Sequence, residues 1–434
     1  MEALANSAVT SFGLADCNNF YATCETVFCP KLAGKPLIVL SNNDGNVIAR
    51  SREAKTLGIP MGAPVHTLKQ VIAQQGVTVC SANFALYGDL SQRVMDVLAR
   101  FTPRLDCYSI DEAFLDLSAT CAPAERLWYA QHIRETVHRW TGIWVSIGIA
   151  PTKTLAKAAN DAAKHLPNGA LSLETPDQID ALLAGMAVED VWGIGKQRGV
   201  YLRQHKLATA LDLQQADAAW VKRHLYVPVA RTQWELRGVS CLPLTTTCAA
   251  HQQIMSSRSF GGPVTTLDEL KEALAFHITR AAEKLRSQRS LAQVATISIT
   301  TNRFRQHTPQ YSRSATIRLT RPTASTSELL GAALAAVERI YRPGYSYHKA
   351  GILLADFVSD AITQQELFAP PADERQQEVM RIMDAINARF GRDTIHLAAL
   401  GADKSRKVAP AWQMRQAHLS PQYTTRWEAL AHVI

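Results

Sequence analysis

Between residues 253 and 356 the apolar positions change period in a fixed succession. Residues 253–258 read as a strand, and helical spacing over 267–287 predicts a helix. Strands over 293–300 and 314–320 follow, then a helix over 326–341 and a last strand over 350–356. Strand–helix–strand–strand–helix–strand is a split βαβ pattern, in which one sheet buries one face under two helices and forms a domain by itself. At roughly 150 residues per domain, a chain of 434 residues should hold two to four domains.

The same segment carries the charge. Lys plus Arg number 46 against 38 Asp plus Glu, a net of +8. Residues 245–350 hold 14 basic and 6 acidic side chains, whereas 1–244 hold 23 and 22, and 351–434 hold 9 and 10. The whole excess therefore sits in the split βαβ segment, where a polyanion is the natural partner. With 47% hydrophobic and 19% charged residues, disordered and low-complexity classes are excluded. No apolar run approaches the ~18 residues of a membrane span. Residues 1–11 lack the basic and apolar halves of a signal peptide, so the cytoplasm, with no membrane partner, is expected. Eight cysteines without a CxxC pattern read as reduced thiols.

Upstream, strands and helices interleave, which predicts an α+β domain. A short apolar run over 12–16 ends on Asp16, and a second β-rich run covers 36–41. Helices are expected over 20–28, 52–57, 83–101, 126–140 and 153–164, with a strand over 144–150. Residues 177–225 read as mostly helical, interrupted by Gly193 and Gly195. From 359 a Gln- and Pro-containing linker leads to a helix near 376–390 and an irregular tail.

The stretch YSIDEAFLDL over 108–117 alternates like a strand pair and carries Asp111 beside Glu112. Adjacent residues of a flat strand face opposite ways, so both carboxylates reach one site only from a hairpin tip or bulge. If that tip lies beside the end of the first strand, three carboxylates converge, a repulsive arrangement unless divalent cations hold it. Hard oxygen ligands favour Mg²⁺, and two such ions would clamp an in-line phosphoryl transfer. An exposed Asp-Glu turn is the other reading of the same residues.

Three motifs in order carry a resemblance: Asp16 with Phe20, Tyr21, Ala22 and Glu25; Tyr108 to Phe114; and Ser146 to Lys157. They resemble the Y-family translesion DNA polymerases. Residues 40–45 (LSNNDG) and 47–50 (VIAR) are similar to the UmuC branch, that of the catalytic subunit of bacterial DNA polymerase V. The resemblance implies an α+β multidomain, right-hand polymerase. Its parts would be an N-terminal extension (1–11), a ferredoxin-like palm with small fingers (12–175, fingers about 31–86), and a helical thumb with a helix-hairpin-helix (176–244). A split βαβ little finger (245–358) and a clamp-binding linker with a UmuC-type C-terminal tail (359–434) would complete it.

It further implies error-prone, DNA-directed synthesis in the SOS response from primer–template DNA and dNTP, by two-Mg²⁺ nucleotidyl transfer. Asp16, Asp111 and Glu112 would be the catalytic metal ligands, joined by the Cys17 carbonyl. Phe20 and Tyr21 would face the nucleotide, Tyr21 as the steric gate that rejects a 2′-hydroxyl. Lys55 and Lys164 match phosphate-binding positions, with Arg50 nearby, and Arg52 stands where many members have a tyrosine. Gly193, Gly195 and Lys196 resemble a helix-hairpin-helix on a DNA phosphate. Arg303, Arg305, Arg313 and Arg318 would grip the duplex. Gln364, Leu367 and Phe368 resemble a sliding-clamp peptide, and the tail implies a processed UmuD-like dimer and RecA as partners. A non-catalytic DNA-binding repair scaffold and a two-metal nuclease are the alternatives.

Overall fold

A computed structural model describes residues 10–246, 250–305, 307–361, 374–400 and 410–430. Two compact units divide them: one takes the described residues within 1–41, 45–248 and 418–434, the other those within 42–44 and 249–417.

The first unit opens with β1 (Phe12–Cys17), α1 (Phe20–Phe28), β2 (Leu37–Leu40), β3 (Val47–Arg50) and α2 (Arg52–Thr56). Next come α3 (Lys69–Gln75), β4 (Thr78–Ser81), α4 (Phe84–Leu98), β5 (Leu105–Cys107) and β6 (Glu112–Asp116). After α5 (Arg126–Thr141) follow β7 (Val145–Ala150), α6 (Lys153–Ala163) and β8 (Ala170–Ser172). Four helices close the series: α7 (Pro176–Gly185), α8 (Lys196–Gln204), α9 (Ala210–Gln215) and α10 (Ala218–Leu236).

Its main sheet runs β5-β6-β1-β7-β8, and a smaller sheet runs β3-β2-β4. Every residue of β1 and β7 is buried, which is why their apolar runs are continuous rather than alternating: both faces are covered. Helix α6 is laid tightly on this centre. A Cβ on Gly148 would lie 2.1 Å from the backbone nitrogen of Asn160, so only glycine admits the helix. The Asn160 amide then donates to the carbonyls of Leu14 (3.0 Å) and Ser146 (2.7 Å), bonding the helix to two neighbouring strands. Buried Glu235 accepts from the Thr154 N–H (3.0 Å) and, on its other oxygen, from Cys241 and Leu242. A carboxylate at the start of α6 also suits the helix dipole. Helix α10 runs beyond the expected end near 225, through a break at Tyr226 (φ 64°) two residues before Pro228.

The second unit contains β9 (Ile254–Val264), α11 (Leu267–Ser287), β10 (Ser290–Thr301), β11 (Ser312–Thr323), α12 (Thr326–Ile340), β12 (Tyr347–Ser359) and α13 (Glu374–Phe390). The expected element order is present. Strands stand in the order β11-β10-β12-β9, with every neighbouring pair antiparallel. Hence β9 and β10 are parallel with β12 between them, and β11 and β12 are parallel with β10 between them: two interleaved split βαβ units. Thr266 and Ser325 cap the two helices by accepting from Glu269 and Glu328 N–H. Strand β9 continues six residues past the expected 258, through Gly261, Gly262 and Pro263. It is an edge strand, where proline costs no ladder bond. The tail covers that edge: Gly262 N–H donates to Ala411 O (2.8 Å), and a Cβ on Gly261 would sit 2.2 Å from Gln413 O. Among the described residues no helix is long and apolar enough to cross a membrane.

Candidate active site

Strand register brings the carboxylates together. Asp16 is the Cα partner of Glu112 on β6 and of Ser146 on β7. Asp111 precedes β6 at the tip of the β5–β6 hairpin, and its carbonyl accepts from Cys17 N–H (2.9 Å). The turn is set by Ser109, whose Oγ accepts from the N–H groups of Asp111 (3.2 Å) and Glu112 (3.0 Å) and donates to Asp111 Oδ1 (2.6 Å). Two carboxylates, those of Asp16 and Glu112, therefore face one another, while that of Asp111 is turned to Ser109. Among the described residues no three metal-capable side chains form a single cluster.

Two lysines of α6 neutralise the pair. Residues 157, 160 and 164 follow the i, i+3, i+7 stripe of one helix face, the face that Asn160 fixes to the sheet. Lys157 Nζ donates to both Glu112 oxygens (2.8 Å each) and Lys164 Nζ to Asp16 Oδ2 (3.0 Å). Burial nonetheless pushes Asp16 up to about 7, against the pull of Lys164. Glu112 is held below its ordinary range by hydrogen bonds from Asp16 and Lys157, which outweigh its own burial. A half-desolvated oxygen pair of this kind calls for positive charge, and the two ammonium groups stand in for it. The donor set thus fits a hard divalent cation.

More cations converge on Asp16. Lys55, exposed on α2, has its pKa lowered by desolvation and by the nearby charges of Arg50 and Lys164. Arg50 Nη1 donates to Ile59 O (2.6 Å). Arg52 is exposed one residue after Ser51, the cap of α2. Tyr21, half-buried, lies flat on Tyr87 with centroids 4.6 Å apart and meets Phe84 edge-on at 5.9 Å. Desolvation and the charge of Asp111 raise its phenol. Phe20 departs from the expectation of a nucleotide contact: its side chain is buried in the core of the unit, because the position after the left-handed Asn19 turns inward. The Cys17 thiol is likewise buried, and burial pushes it well above its ordinary value.

Gly193 (φ 89°) and Gly195 shape the turn into α8, and both are exposed together with Lys196. Gly195 caps α8 without a side-chain bond, leaving the first N–H groups open. Trp192 ties this turn to the hairpin through Tyr108, 5.4 Å between ring centroids.

In the second unit the four expected arginines do not share one face. Arg303 and Arg305 lie in the loop after β10, exposed. Arg318 pairs with Val294 and Arg313 with Ile299; an odd separation along β11 puts the two on opposite faces. Register reveals instead a hydroxyl-rich open face. One row reads Ser259, Lys349, Thr300 and Ser312, and a second Ser257, Gly351, Ser298 and Ser314. Thr296 and Thr316 join across the next row at 3.0 Å. Sequence alone gives Lys349 no role, because only register gives it neighbours, and gives Lys157 none beyond its place in the Ser146–Lys157 motif. Gln364, Leu367 and Phe368 lie outside the described residues, as does Cys248.

Comparisons with known proteins agree with this architecture. Residues 15–161 match the impB/mucB/samB family, 251–367 its C-terminal domain, and 377–433 a domain of unknown function, DUF4113. Protein UmuC of Salmonella typhimurium is 41% identical over 97% of this chain and 100% of its own length. Protein ImpB of the same organism is 41% identical over 96% and 98%. DNA polymerase IV of Desulfatibacillum aliphaticivorans is 28% identical over 89% and 96%. Among solved structures, a Y-family DNA polymerase chimera of Dbh and Dpo4 aligns with a TM-score of 0.66 at 19% identity, over 80% of this chain and 99% of that one. The fold is therefore that of the Y-family polymerases, and the chain, on full-length identity with UmuC and ImpB, belongs to the impB/mucB/samB family.

Proposed function

We propose that the protein is an error-prone, DNA-directed DNA polymerase that carries out translesion synthesis. The observation that carries the reading is the Asp16–Glu112 pair on adjoining strands, with Tyr21 on one side and Lys55, Arg50 and Lys164 around it. A carboxylate pair alone suits hydrolysis as well as synthesis. The cations and the aromatic gate favour a nucleoside triphosphate as the substrate.

Asp16, Asp111 and Glu112, with the Cys17 carbonyl, would hold two Mg²⁺ ions. Bound there, such ions supply activation of a primer 3′-hydroxyl and neutralisation of the leaving pyrophosphate. The chain's own residues do the rest. Lys164 and Lys55 bind the β- and γ-phosphates, and Arg50 adds charge. Lys164, paired with Asp16, would turn to the phosphates of a bound nucleotide. Tyr21 lies under the sugar and excludes a 2′-hydroxyl by contact. Exposed Gly193, Gly195 and Lys196 offer backbone N–H groups and a charge to one phosphate, which positions DNA without reading its sequence.

In this reading residues 12–175 are palm and fingers, 176–244 thumb, 245–358 little finger and 359–434 the accessory tail. The open face of the little-finger sheet, with Lys349, Arg318 and its hydroxyls, contacts the duplex backbone. Partners follow from the family: a sliding clamp at Gln364, Leu367 and Phe368, a processed UmuD-like dimer, and RecA, in the bacterial cytoplasm.

Primer extension by the wild type and by Asp111→Asn, with the accessory proteins supplied, tests the proposal. Extension by the wild type and its loss of 10²-fold or more in the variant, roughly one removed transition-state contact, is expected. Strand cleavage instead would make the protein a nuclease, and inertness of both would make it a scaffold.

A further inference from the structure

The tail that matches a domain of unknown function ends against the base of the proposed sugar gate. In the first unit Ser81, the last residue of β4, bridges to Leu419 in parallel. Ser81 N–H donates to His418 O (2.9 Å), and His418 N–H donates to Ser81 Oγ (3.0 Å). Asn83, which caps α4 through its Oδ1, uses its amide to donate to Ser420 O (3.2 Å), Ser420 Oγ (3.0 Å) and Pro421 O (3.2 Å). Two residues further on, Tyr423 stacks on Phe28 at 4.9 Å with planes 7° apart. The tail is thereby fixed to the end of α1 and the start of α4.

What it reaches there is a buried carboxylate. Glu25 on α1 is 2% exposed. Among the described residues no cation pairs with it, and its Oε1 accepts from two hydroxyls: Tyr87 Oη at 2.6 Å and Ser420 Oγ at 3.1 Å. A buried carboxylate depends on every donor it has, because a missing one costs its full desolvation. Tyr87 is itself fully buried, and its ring is the platform on which Tyr21 lies, 4.6 Å away and 16° from parallel. Glu25 is four residues after Tyr21 on the same helix, hence on the same face.

We propose that Ser420, Glu25 and Tyr87 are positioning residues for sugar selection, so that the C-terminal tail sets the height and tilt of the Tyr21 gate. The inference rests on the reading of Tyr21 as that gate. Ser420 holds the Glu25 carboxylate on one side, the carboxylate anchors the Tyr87 hydroxyl, and the Tyr87 ring in turn carries Tyr21. Removing the tail's hydroxyl leaves Glu25 with one donor and lets the Tyr87–Tyr21 stack shift by the few tenths of an ångström that separate exclusion of a 2′-hydroxyl from tolerance.

The test compares Ser420→Ala, Ser420→Thr, Glu25→Gln and Tyr21→Ala as full-length proteins in the reconstituted reaction. Two ratios are read: kcat/KM for dNTP over rNTP insertion, and Kd for rNTP over dNTP on a primer–template. Thermal unfolding is followed alongside. Tyr21→Ala should abolish most discrimination. Ser420→Ala and Glu25→Gln should lower it about tenfold, the equivalent of 1.4 kcal/mol, with dNTP insertion within about twofold of wild type. Ser420→Thr, which keeps a hydroxyl, should restore it. Equal loss of dNTP and rNTP insertion, or unchanged discrimination, in Ser420→Ala and Glu25→Gln overturns the inference while Tyr21→Ala still relaxes selection. Unchanged discrimination in Tyr21→Ala removes the gate and the inference with it.

Discussion

His277 faces the underside of the second unit's sheet from α11, 4% exposed, with Nδ1 3.1 Å from Ser256 Oγ. Burial, aided by the charges of Arg258 and Lys349, lowers its pKa from 6.5 to about 4. The folded state thus binds the proton less well than the unfolded chain. Its contribution is intact above about 6.5 and is lost as pH falls towards 4. Unfolding of the protein followed against pH should show a loss of about 3 kcal/mol between pH 7 and pH 4 relative to His277→Gln, which cannot titrate. At this scale the sequence grouped Asp16 with Tyr21 in one short motif and Asp111 with Glu112 in another, and strand register sets Asp16 opposite Glu112. It was silent on rotamers, so nothing announced that Asp111 turns to Ser109, whereas core packing was already a reading open to Phe20. Lys157 was readable in principle, since a stripe of Lys157, Asn160 and Lys164 on an Ala-rich helix has no apolar purpose.

Elements show where local pattern runs out. The second unit's order of strands and helices follows directly from hydrophobic period, yet β9 outran its prediction because Gly-Gly-Pro reads as a stop. What overrode that signal was an edge position and a tail segment needing close approach, neither of them local. The short strands β3, β4 and β8 hold four residues or fewer and, unlike the LIVL run of β2, each includes a polar residue, so neither period nor a continuous apolar run marks them. The seat of α6 gives a sharp test. Gly148→Ala places a Cβ against the backbone of Asn160, so the helix carrying both site lysines must withdraw. A loss of roughly 3 kcal/mol is expected from the denaturant midpoint at unchanged m. The open sheet gives another. Arg318→Ala and Lys349→Ala should each flatten the log–log salt dependence of DNA binding by about 0.9, while Arg313→Ala, on the opposite face of β11, changes the slope less.

Across the whole molecule, function is distributed over segments that chain order keeps far apart. The candidate site draws on residues 16 to 164, the basic excess lies in 245–350, and the tail returns at 418 to the first unit. Composition revealed the second of these and motif resemblance the first. The return of the tail had no precursor in the sequence, because the partners of Ser420 are an asparagine and a glutamate, and that of His418 a serine, all more than three hundred residues away. Leu367 and Phe368 belong to this scale as well. Burying the two in a clamp pocket is worth about 1.5–3 kcal/mol each. Replacing both with Ala should therefore abolish clamp-stimulated primer extension and leave unstimulated extension unchanged; equal loss of the two would assign them to folding.

One consequence follows from the ammonium groups of Lys157 and Lys164. They pair with Glu112 and Asp16, so the acidic pocket carries its own counter-charges. Folding of the polypeptide is therefore expected to need no added divalent cation. A divalent cation bound there would displace a resident ammonium rather than fill a hole the fold cannot tolerate.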